Sequence, residues 1–498
     1  MDFSKENYLQ NKHHFNLGIL TTESRNQKTL KLSNLVEDNL GQAIDLLRSV
    51  DDDMFKVLID RSPEIFKLQM HCQKVLKNQG KIFIVGCGAT GRLALSIEKL
   101  FREQKKSDQV ISFMAGGDYA LIKSIEKFED SFAYGKRQLL ELGYDSNRDT
   151  LLAITEGGET SFVIGALEEA AKSSQNPCWF LYCNPDSELY NVDRSARVLS
   201  NTKIEKLNLT VGAMALTGST RMQATTIQMI AAGVGVLYDS KSEETFAEQL
   251  KDHIDWLRRA EFDFLKELIN FEYNCYQRQS LMTYKADPDL AIAILTDTTE
   301  RSPTFNMTGF EKLGEESLSL VFLSVNSTHE QKSAWSKLLG RAPRCLEWEE
   351  FEGQINTDEL MRFDISENSL KRRGGEIIEI LNDQDSISIK WGSKIQTFDC
   401  NGRDLIWRHM LLKIALNIHS TLLMGKLGRF EGNLMTYVRP SNFKLVNRAY
   451  RYIQYFLEES KVVVDEEKII ELIFEHQQGR HPESPVVISV LNQLGVFL

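Results

Sequence analysis

Apolar residues recur at helical spacing through the first part of the chain, as far as about residue 79. Leu46, Leu47, Phe55 and Leu58 are examples of these positions. Apolar side chains three and four residues apart share one face of an α-helix. The pattern therefore predicts a helical N-terminal lead-in, and we place the limits of that segment at residues 1–64.

From residue 81 onward, short apolar runs alternate with helical patterns. The runs predict strands at 82–85, 110–115, 150–154 and 178–182, and the helical patterns lie at 92–102, 119–127, 131–142, 160–172 and 219–237. Such alternation is typical of a parallel sheet with helices on both faces. We therefore predict a first α/β domain over residues 65–240.

After Asp239 the pattern starts again with two long helices, predicted at 243–258 and 260–282. Strands are then predicted at 290–296, 319–325 and near 386–391, followed by a helix at 403–425. This pattern predicts a second α/β domain over residues 241–427 and a C-terminal helical cap over 428–498, with helices at 441–459, 465–477 and 485–495. The predicted class is α/β, with two doubly wound parallel sheets in flavodoxin-like three-layer sandwiches.

The segment 81–92 runs from a buried strand through a loop rich in glycine and hydroxyl groups into a helix. Gly86, Gly88 and Gly91 let the backbone turn tightly, while Thr90 and the first free N–H groups of the helix point toward a ligand. The arrangement predicts a pocket for an anion, and a phosphorylated small molecule is its natural guest.

The same glycine spacing also fits the dinucleotide fingerprint, so the loop alone leaves a dehydrogenase open. A dinucleotide site usually has an acidic residue about 20 positions further on, which binds the ribose. Residues 110–114 contain no carboxylate, and Asp118 follows two glycines. The sequence therefore favours a phosphosugar, and a purely structural tight turn is the other alternative.

Composition excludes several classes of function. The net charge is -11 and the basic residues are scattered, which argues against a nucleic-acid surface. The seven cysteines form no C-x-x-C pair and no metal-ligand spacing with the histidines, so we expect reduced thiols, no metal or other cofactor, and a cytoplasmic location. We expect no membrane association, because the sequence shows no apolar leader and no apolar run of about 18 residues.

Six motifs in a fixed order resemble the sugar isomerase (SIS) superfamily, and within it the N-acetylmuramic acid 6-phosphate etherases and the glucokinase regulatory proteins. The motifs lie at 85–92, 115–118, 128–131, 183–187, 216–222 and 432–435 with 441–445. The two-domain length resembles the regulatory proteins, since etherases generally carry one such domain per chain. The resemblance implies two SIS-type domains, the second of them degenerate.

The resemblance also implies a phosphosugar held by the first domain. Its phosphate would lie at the glycine loop and the loop 155–159, Arg221 would face the sugar, and Lys444 would arrive from the C-terminal helix. The implied ligand-binding residues are Gly86, Gly88, Ala89, Thr90, Gly91, Thr155, Gly157, Thr160, Ser219, Arg221 and Lys444. Each of the last three has a structural alternative, because Ser219 can cap a helix and the two basic residues can be solvated.

Two departures from the family pattern concern charge near the ligand. Glu159 stands where the regulatory proteins have a phosphate-contacting serine, and a carboxylate repels a phosphate. Gln223 stands where many etherases have a lysine. The hydroxyl and backbone donors of residues 155–161 are still available to a ligand.

Etherase chemistry needs one carboxylate as base and a second group as acid for the leaving oxygen. The resemblance assigns the base to Glu129, but Leu100 occupies the position of the acid. Glu98 lies two residues before Leu100 on the same helix, which rotates it by about 200° from the Leu100 position, so it faces elsewhere. Glu300, in a segment of similar character in the second domain, is the substitute we predict, so that the two domains would complete one composite site.

The sequence leads to two main hypotheses for the function. A third hypothesis is an aldose–ketose isomerase. The first is a regulator that binds a hexose or amino-sugar phosphate and acts on a protein partner such as a sugar kinase. The alternative is an etherase, a carbon–oxygen lyase that uses Glu129 and Glu300. We expect either a monomer, in which the two fused domains act together as a pseudo-dimer, or a homodimer of the chain.

Overall fold

A computed structural model of the chain describes residues 3–15, 17–123, 125–310, 312, 320–477 and 485–498. Its N-terminal part is helical, as predicted. The α-helices are α1 (Lys5–Asn11), α2 (Leu32–Asp38), α3 (Leu40–Asp60) and α4 (Ser62–Lys77), and short 3₁₀ helices lie at Lys12–Phe15, Leu17–Ile19, Thr21–Glu23 and Gln27–Thr29.

The first sheet has five parallel strands in the order β2-β1-β3-β4-β5. The strands are β1 (Ile82–Gly86), β2 (Val110–Met114), β3 (Thr150–Ile154), β4 (Cys178–Tyr182) and β5 (Ile204–Asn208). This is the strand order of flavodoxin-like sheets, in which ligands lie beyond the carboxyl ends of the strands where the order reverses, here between β1 and β3. The predicted parallel α/β arrangement of this half is confirmed.

Seven α-helices accompany the first sheet: α5 (Ala89–Lys105), α6 (Glu126–Glu129), α7 (Phe132–Glu141), α8 (Ser161–Ser173), α9 (Asp186–Leu189), α10 (Asp193–Ser200) and α11 (Gln223–Leu237). The predicted helix 119–127 is wrong in its bounds. Its place is taken by a 3₁₀ helix at Gly117–Leu121 and by the short α6, with Ser124 outside the described residues.

The second half also combines a sheet with helices, but its five-stranded sheet is mixed, in the order β10-β9-β8-β6-β7. β6 pairs in parallel with β7 and β8, whereas β8, β9 and β10 form an antiparallel meander. The elements are α12 (Glu243–Arg259), α13 (Leu265–Gln277), β6 (Met282–Ala286), α14 (Pro288–Phe305), β7 (Val321–Val325), α15 (Gln331–Leu339), α16 (Thr357–Met361), α17 (Glu367–Arg373), β8 (Glu376–Asn382), β9 (Ser386–Trp391), β10 (Lys394–Asp399) and α18 (Leu405–Lys426), with a 3₁₀ helix at Glu349–Phe351.

The predicted strand 290–296 is wrong, because this segment belongs to α14. Pro288 occupies the first turn of the helix, where its fixed φ is favourable and its missing N–H costs nothing. The run from Leu290 to Leu295 is buried throughout, and a buried apolar run of this length does not by itself distinguish a strand from a helix. The true strand, β6, lies eight residues earlier, at the end of the predicted helix 260–282.

Two helices buried around their whole circumference join the halves. All residues of α11 are buried, as are those of α18 from Ile406 to Gly425, and the two helices contact each other. These helices form the interior of the molecule, and the polar side chains that they carry, such as Arg408 and Lys413 of α18, find hydrogen-bond partners there. The C-terminal cap is helical, as predicted, with α19 (Phe443–Glu459), α20 (Glu466–Gln477) and α21 (Val486–Gln493).

The predicted domain limits stay predictions. In the described part of the chain, none of the helices combines the length and the hydropathy that crossing a membrane requires.

Candidate functional site

The glycine loop between β1 and α5 is closely packed on the protein side. A Cβ on Gly86 would lie 2.4 Å from the Thr90 backbone, and one on Gly91 would lie 2.5 Å from Cβ of Met114. Gly88 has a φ of +55° and faces open space. Glycine is therefore needed for close approach at two positions and for backbone conformation at the third, and the start of α5 is left open to a ligand.

The hydroxyl group of Thr90 braces this loop from within. It donates to the carbonyl of Cys87 at 2.8 Å and accepts from the N–H of the same residue at 3.0 Å. Thr90 is buried, and it is Cys87, Gly88 and Ala89 that line the neighbouring cavity. The structure thus brings the loop backbone to the cavity, while the Thr90 hydroxyl maintains the shape of the loop.

The cavity has a volume of about 170 Å³ and lies beyond the carboxyl ends of β1, β2 and β3. Its walls come from distant parts of the chain. They are formed by residues 17–23, 87–89, 114–129, 156–160, Thr220, Glu300, Pro303 and 442–448, in each case by some members of the range. Both halves and both terminal segments therefore contribute to one site.

A second helix N-terminus, that of α8, lies at the same cavity. Gly157 and Thr160 line the wall immediately before this helix. The hydroxyl of Thr160 is 3.0 Å from that of Thr155, so these two side chains bond to each other. The first N–H groups of α8 are left to other acceptors, since the opening turn of a helix cannot satisfy its own N–H groups.

The cavity wall is rich in carboxylates. Among the described residues of the wall, two cationic side chains, Lys444 and Arg448, lie among five acidic ones, which are Glu23, Glu129, Glu156, Glu159 and Glu300. Each of these carboxylates has a hydrogen-bond or ion-pair partner. The site therefore combines two positive helix ends with a ring of hydrogen-bond acceptors.

Glu159 is held by two cations. It accepts hydrogen bonds from Lys444 at 2.9 Å and from Arg194 at 2.6 Å. Burial alone would raise its pKa, but the charges of Lys444 and Arg194 outweigh burial and lower the pKa to about 2. Lys444 also reaches Glu129 at 3.3 Å, and its two acidic neighbours raise its pKa against the effect of burial.

Glu129 and Glu300, the two carboxylates predicted to act together, both line this cavity. Glu300 comes from α14 in the second half of the chain and pairs with Arg92 in the first turn of α5. Arg92 is fully buried and also donates to the carbonyl of Ala120 at 3.0 Å. The geometry thus brings together residues that lie on different halves of the molecule.

Glu156 also lines the cavity and is not among the predicted site residues, although it lies within residues 155–161. One of its oxygens accepts a hydrogen bond from the Thr225 hydroxyl at 2.9 Å. Burial raises its pKa to about 7, and the charge of Glu300 contributes in the same direction. Glu156 can therefore hold or release a proton near neutral pH.

Glu23 and Arg448 were also missed, and here the sequence offers no signal because 425 residues separate them. Glu23 accepts hydrogen bonds from Arg448 and from Arg451, both at 2.6 Å. Burial alone would raise its pKa, but the two arginines lower it to about 2. This contact fastens the N-terminal wall of the cavity to α19.

The structure places Arg221 away from the cavity lining. Its guanidinium contacts Asp297 at 3.1 Å and the hydroxyls of Ser420 and Thr421 at 3.2 Å and 2.8 Å. Ser219 is buried in the turn that precedes α11, which begins four residues later at Gln223. Arg221 thus ties α14 and α18 to the first half.

Glu98 faces the second half, and Leu100 is fully buried in the core. The Glu98 carboxylate accepts hydrogen bonds from Arg341 at 3.2 Å, from Arg344 at 3.2 Å and from the Ser112 hydroxyl at 2.6 Å. It is therefore committed to a buried ionic contact between the two halves.

Parts of the chain are similar in sequence to known proteins. Residues 65–171 match the glucokinase regulatory protein N-terminal SIS domain. N-acetylmuramic acid 6-phosphate etherase 1 of Bacillus licheniformis is 30% identical over 225 residues, which are 44% of this chain and 66% of the relative. The N-acetylmuramic acid 6-phosphate etherase of Bacillus subtilis is 29% identical over 301 residues, which are 57% of this chain and 91% of that protein.

A solved structure, tagatose-6-phosphate ketose/aldose isomerase from Escherichia coli, aligns with 79% of this chain and 96% of its own at 10% identity, with a TM-score of 0.41. The fold of the first half is established by the strand order of its sheet. The matches in sequence confirm the resemblance inferred from the six motifs. Residues 65–171 therefore match an SIS domain of the glucokinase regulatory protein type, and the chain is similar in sequence to the N-acetylmuramic acid 6-phosphate etherases.

Proposed function

We propose that this protein binds a phosphorylated hexose or amino sugar in the cavity between its two halves. The observation that carries the proposal is the meeting of two helix N-termini, those of α5 and α8, at one cavity wall. Backbone N–H groups and the helix dipole both favour a phosphate at such a position.

The remaining wall suits the sugar. The carboxylates of Glu129, Glu156 and Glu300 offer acceptors for hydroxyl groups, and Pro303 and Met114 add apolar surface. Similarity to the SIS domain of the glucokinase regulatory protein supports a regulatory role for residues 65–171. We infer that the bound ligand changes affinity for a sugar kinase in the cytoplasm, and that the fused halves act as a pseudo-dimer.

Titration calorimetry and thermal unfolding test the binding. Glucose 6-phosphate and glucosamine 6-phosphate should bind and raise the unfolding temperature, whereas unphosphorylated glucose should not. Ala89→Glu places a carboxylate at the start of α5 on the cavity wall and should weaken binding by tenfold or more, a difference of about 1.4 kcal/mol. Ala133→Glu makes the same change in the exposed first turn of α7 and should leave binding unchanged.

An active lyase is the second candidate, because Glu129 and Glu300 line one cavity and the matched relatives are etherases. In such a reaction one carboxylate removes the proton beside the lactyl ether, and a protonated group donates to the leaving oxygen. Arg92 already occupies one oxygen of Glu300, whereas Glu156 has its pKa raised to about 7 and is a further candidate for the acid.

Lactate release from N-acetylmuramic acid 6-phosphate separates the two functions. Turnover that is lost in Glu129→Gln, and reduced in Glu156→Gln or Glu300→Gln, supports the lyase. Binding of the phosphosugar without any turnover supports the regulator. Glu168→Gln, on the outer surface of α8, is the control for loss of one carboxylate.

A further inference from the structure

The carboxylate of Glu159 uses its two oxygens for two different cations. Oε1 accepts from Lys444 of α19 at 2.9 Å, and Oε2 accepts from Arg194 of α10 at 2.6 Å. The Glu159 side chain is only 5% exposed. Arg194 also contacts the Glu159 backbone carbonyl. Glu159 is thus a fixed anion that bridges a cavity cation to a cation outside the cavity lining.

This anion lies where a phosphate would be most stabilised. Glu159 lies two residues before Ser161, the first residue of α8, so it is next to the positive end of that helix. Lys444 is a cation of the cavity wall, and it also contacts Glu129 at 3.3 Å. A ligand phosphate that enters at α8 therefore meets a lysine that is already bound by two carboxylates.

We propose that Glu159 is an internal competitor for the ligand's phosphate and sets the affinity of the cavity for phosphosugars through Lys444. When phosphate binds, Oε1 of Glu159 releases Lys444 while Oε2 stays on Arg194. The released ammonium group of Lys444 then donates charge-assisted hydrogen bonds to the phosphate oxygens. This inference rests on the proposed phosphosugar function and names the residue that limits it.

Titration calorimetry with glucose 6-phosphate, glucosamine 6-phosphate and inorganic phosphate tests the proposal on the full chain. Glu159→Gln removes the charge with little change in volume, and its affinity for the two phosphosugars should rise roughly tenfold. Glu159→Asp keeps the charge and should show no such gain. Thermal unfolding of each unliganded variant checks folding, and Glu159→Ser replaces Glu159→Gln where the latter does not fold.

Glu168→Gln is the matched control, because Glu168 lies within α8, the helix that Glu159 precedes, and pairs with Arg197 at 3.0 Å on the surface. It should bind as the wild type does. Equal, measurable binding by wild type and Glu159→Gln overturns the inference and leaves the proposed function intact. A similar gain in Glu159→Asp attributes the effect to space and also overturns it. Absence of binding by every variant overturns both.

Discussion

Arg92 and Glu300 form a buried ion pair between the helix that follows the glycine loop and a helix of the second half. Arg92 is fully buried, and the Glu300 side chain is 11% exposed. The pair lies beside the cavity, since Glu300 itself forms part of the wall. The cavity and the contact between the halves therefore share a residue.

Arg92→Met should destabilise the protein by about 3 to 5 kcal/mol, because it leaves the Glu300 carboxylate buried without its cation. Urea unfolding measures the change. The double variant Arg92→Met with Glu300→Gln should recover part of the loss, since no unpaired charge is left. Arg61→Met removes an exposed pair with Glu64 and should cost less than about 1 kcal/mol. An equal loss in the two single arginine variants would contradict the prediction.

Gly91→Ala should destabilise the protein by about 1 to 3 kcal/mol, because the new methyl group would lie 2.5 Å from Cβ of Met114 on β2. Thermal unfolding measures this effect. Gly41→Ala, in α3, is the control: the nearest atom would be 3.4 Å away, and alanine favours a helix. Equal stability of the Gly91 variant and the wild type would show that α5 can shift away from β2 at little cost.

Acid should unfold the protein through its buried carboxylates. Burial opposes ionisation of Glu23 and Glu98, but their arginine partners lower both pKa values from 4.5 to about 2. A lowered pKa in the folded state contributes stability that is complete above pH 4.5 and lost as the pH falls toward 2. Glu98→Gln should therefore cost about 3 kcal/mol at pH 7 and little at pH 2. Thermal unfolding of the wild type and of Glu98→Gln between pH 2 and pH 7 measures this difference. A loss of stability that is the same at every pH would contradict the prediction, because it would not depend on the charge of Glu98.

Glu156→Gln should act in the opposite direction with pH. Burial raises the pKa of Glu156 from 4.5 to about 7, so its contribution to stability is complete below pH 4.5 and lost as the pH rises to 7. The glutamine variant cannot ionise, and it should melt at a higher temperature than the wild type at pH 8 but at the same temperature at pH 4. Glu168→Gln, on the surface, should show no such difference. A pH-independent effect of Glu156→Gln would indicate a change in packing alone.

The glycine loop shows how far local pattern carries a structural prediction. β1, the loop and α5 follow from a buried apolar strand, three glycines and an amphipathic helix, all within a short stretch of chain.

The edge strand β5 is absent from the sequence prediction. Only part of this strand is buried, so its sequence has no continuous apolar run. α14 was read as a strand because its buried apolar run has no period that identifies a helix.

The sequence by itself determined the α/β class and the glycine loop between β1 and α5, since these depend on neighbours along the chain. Only the tertiary structure decided which charges meet. It brings Glu300 to Arg92, Glu23 to Arg448 and Lys444 to Glu159, across separations of 208, 425 and 285 residues. The physical reason is that an ion pair depends on distance in space, and folding alone determines that distance for residues so far apart in the chain.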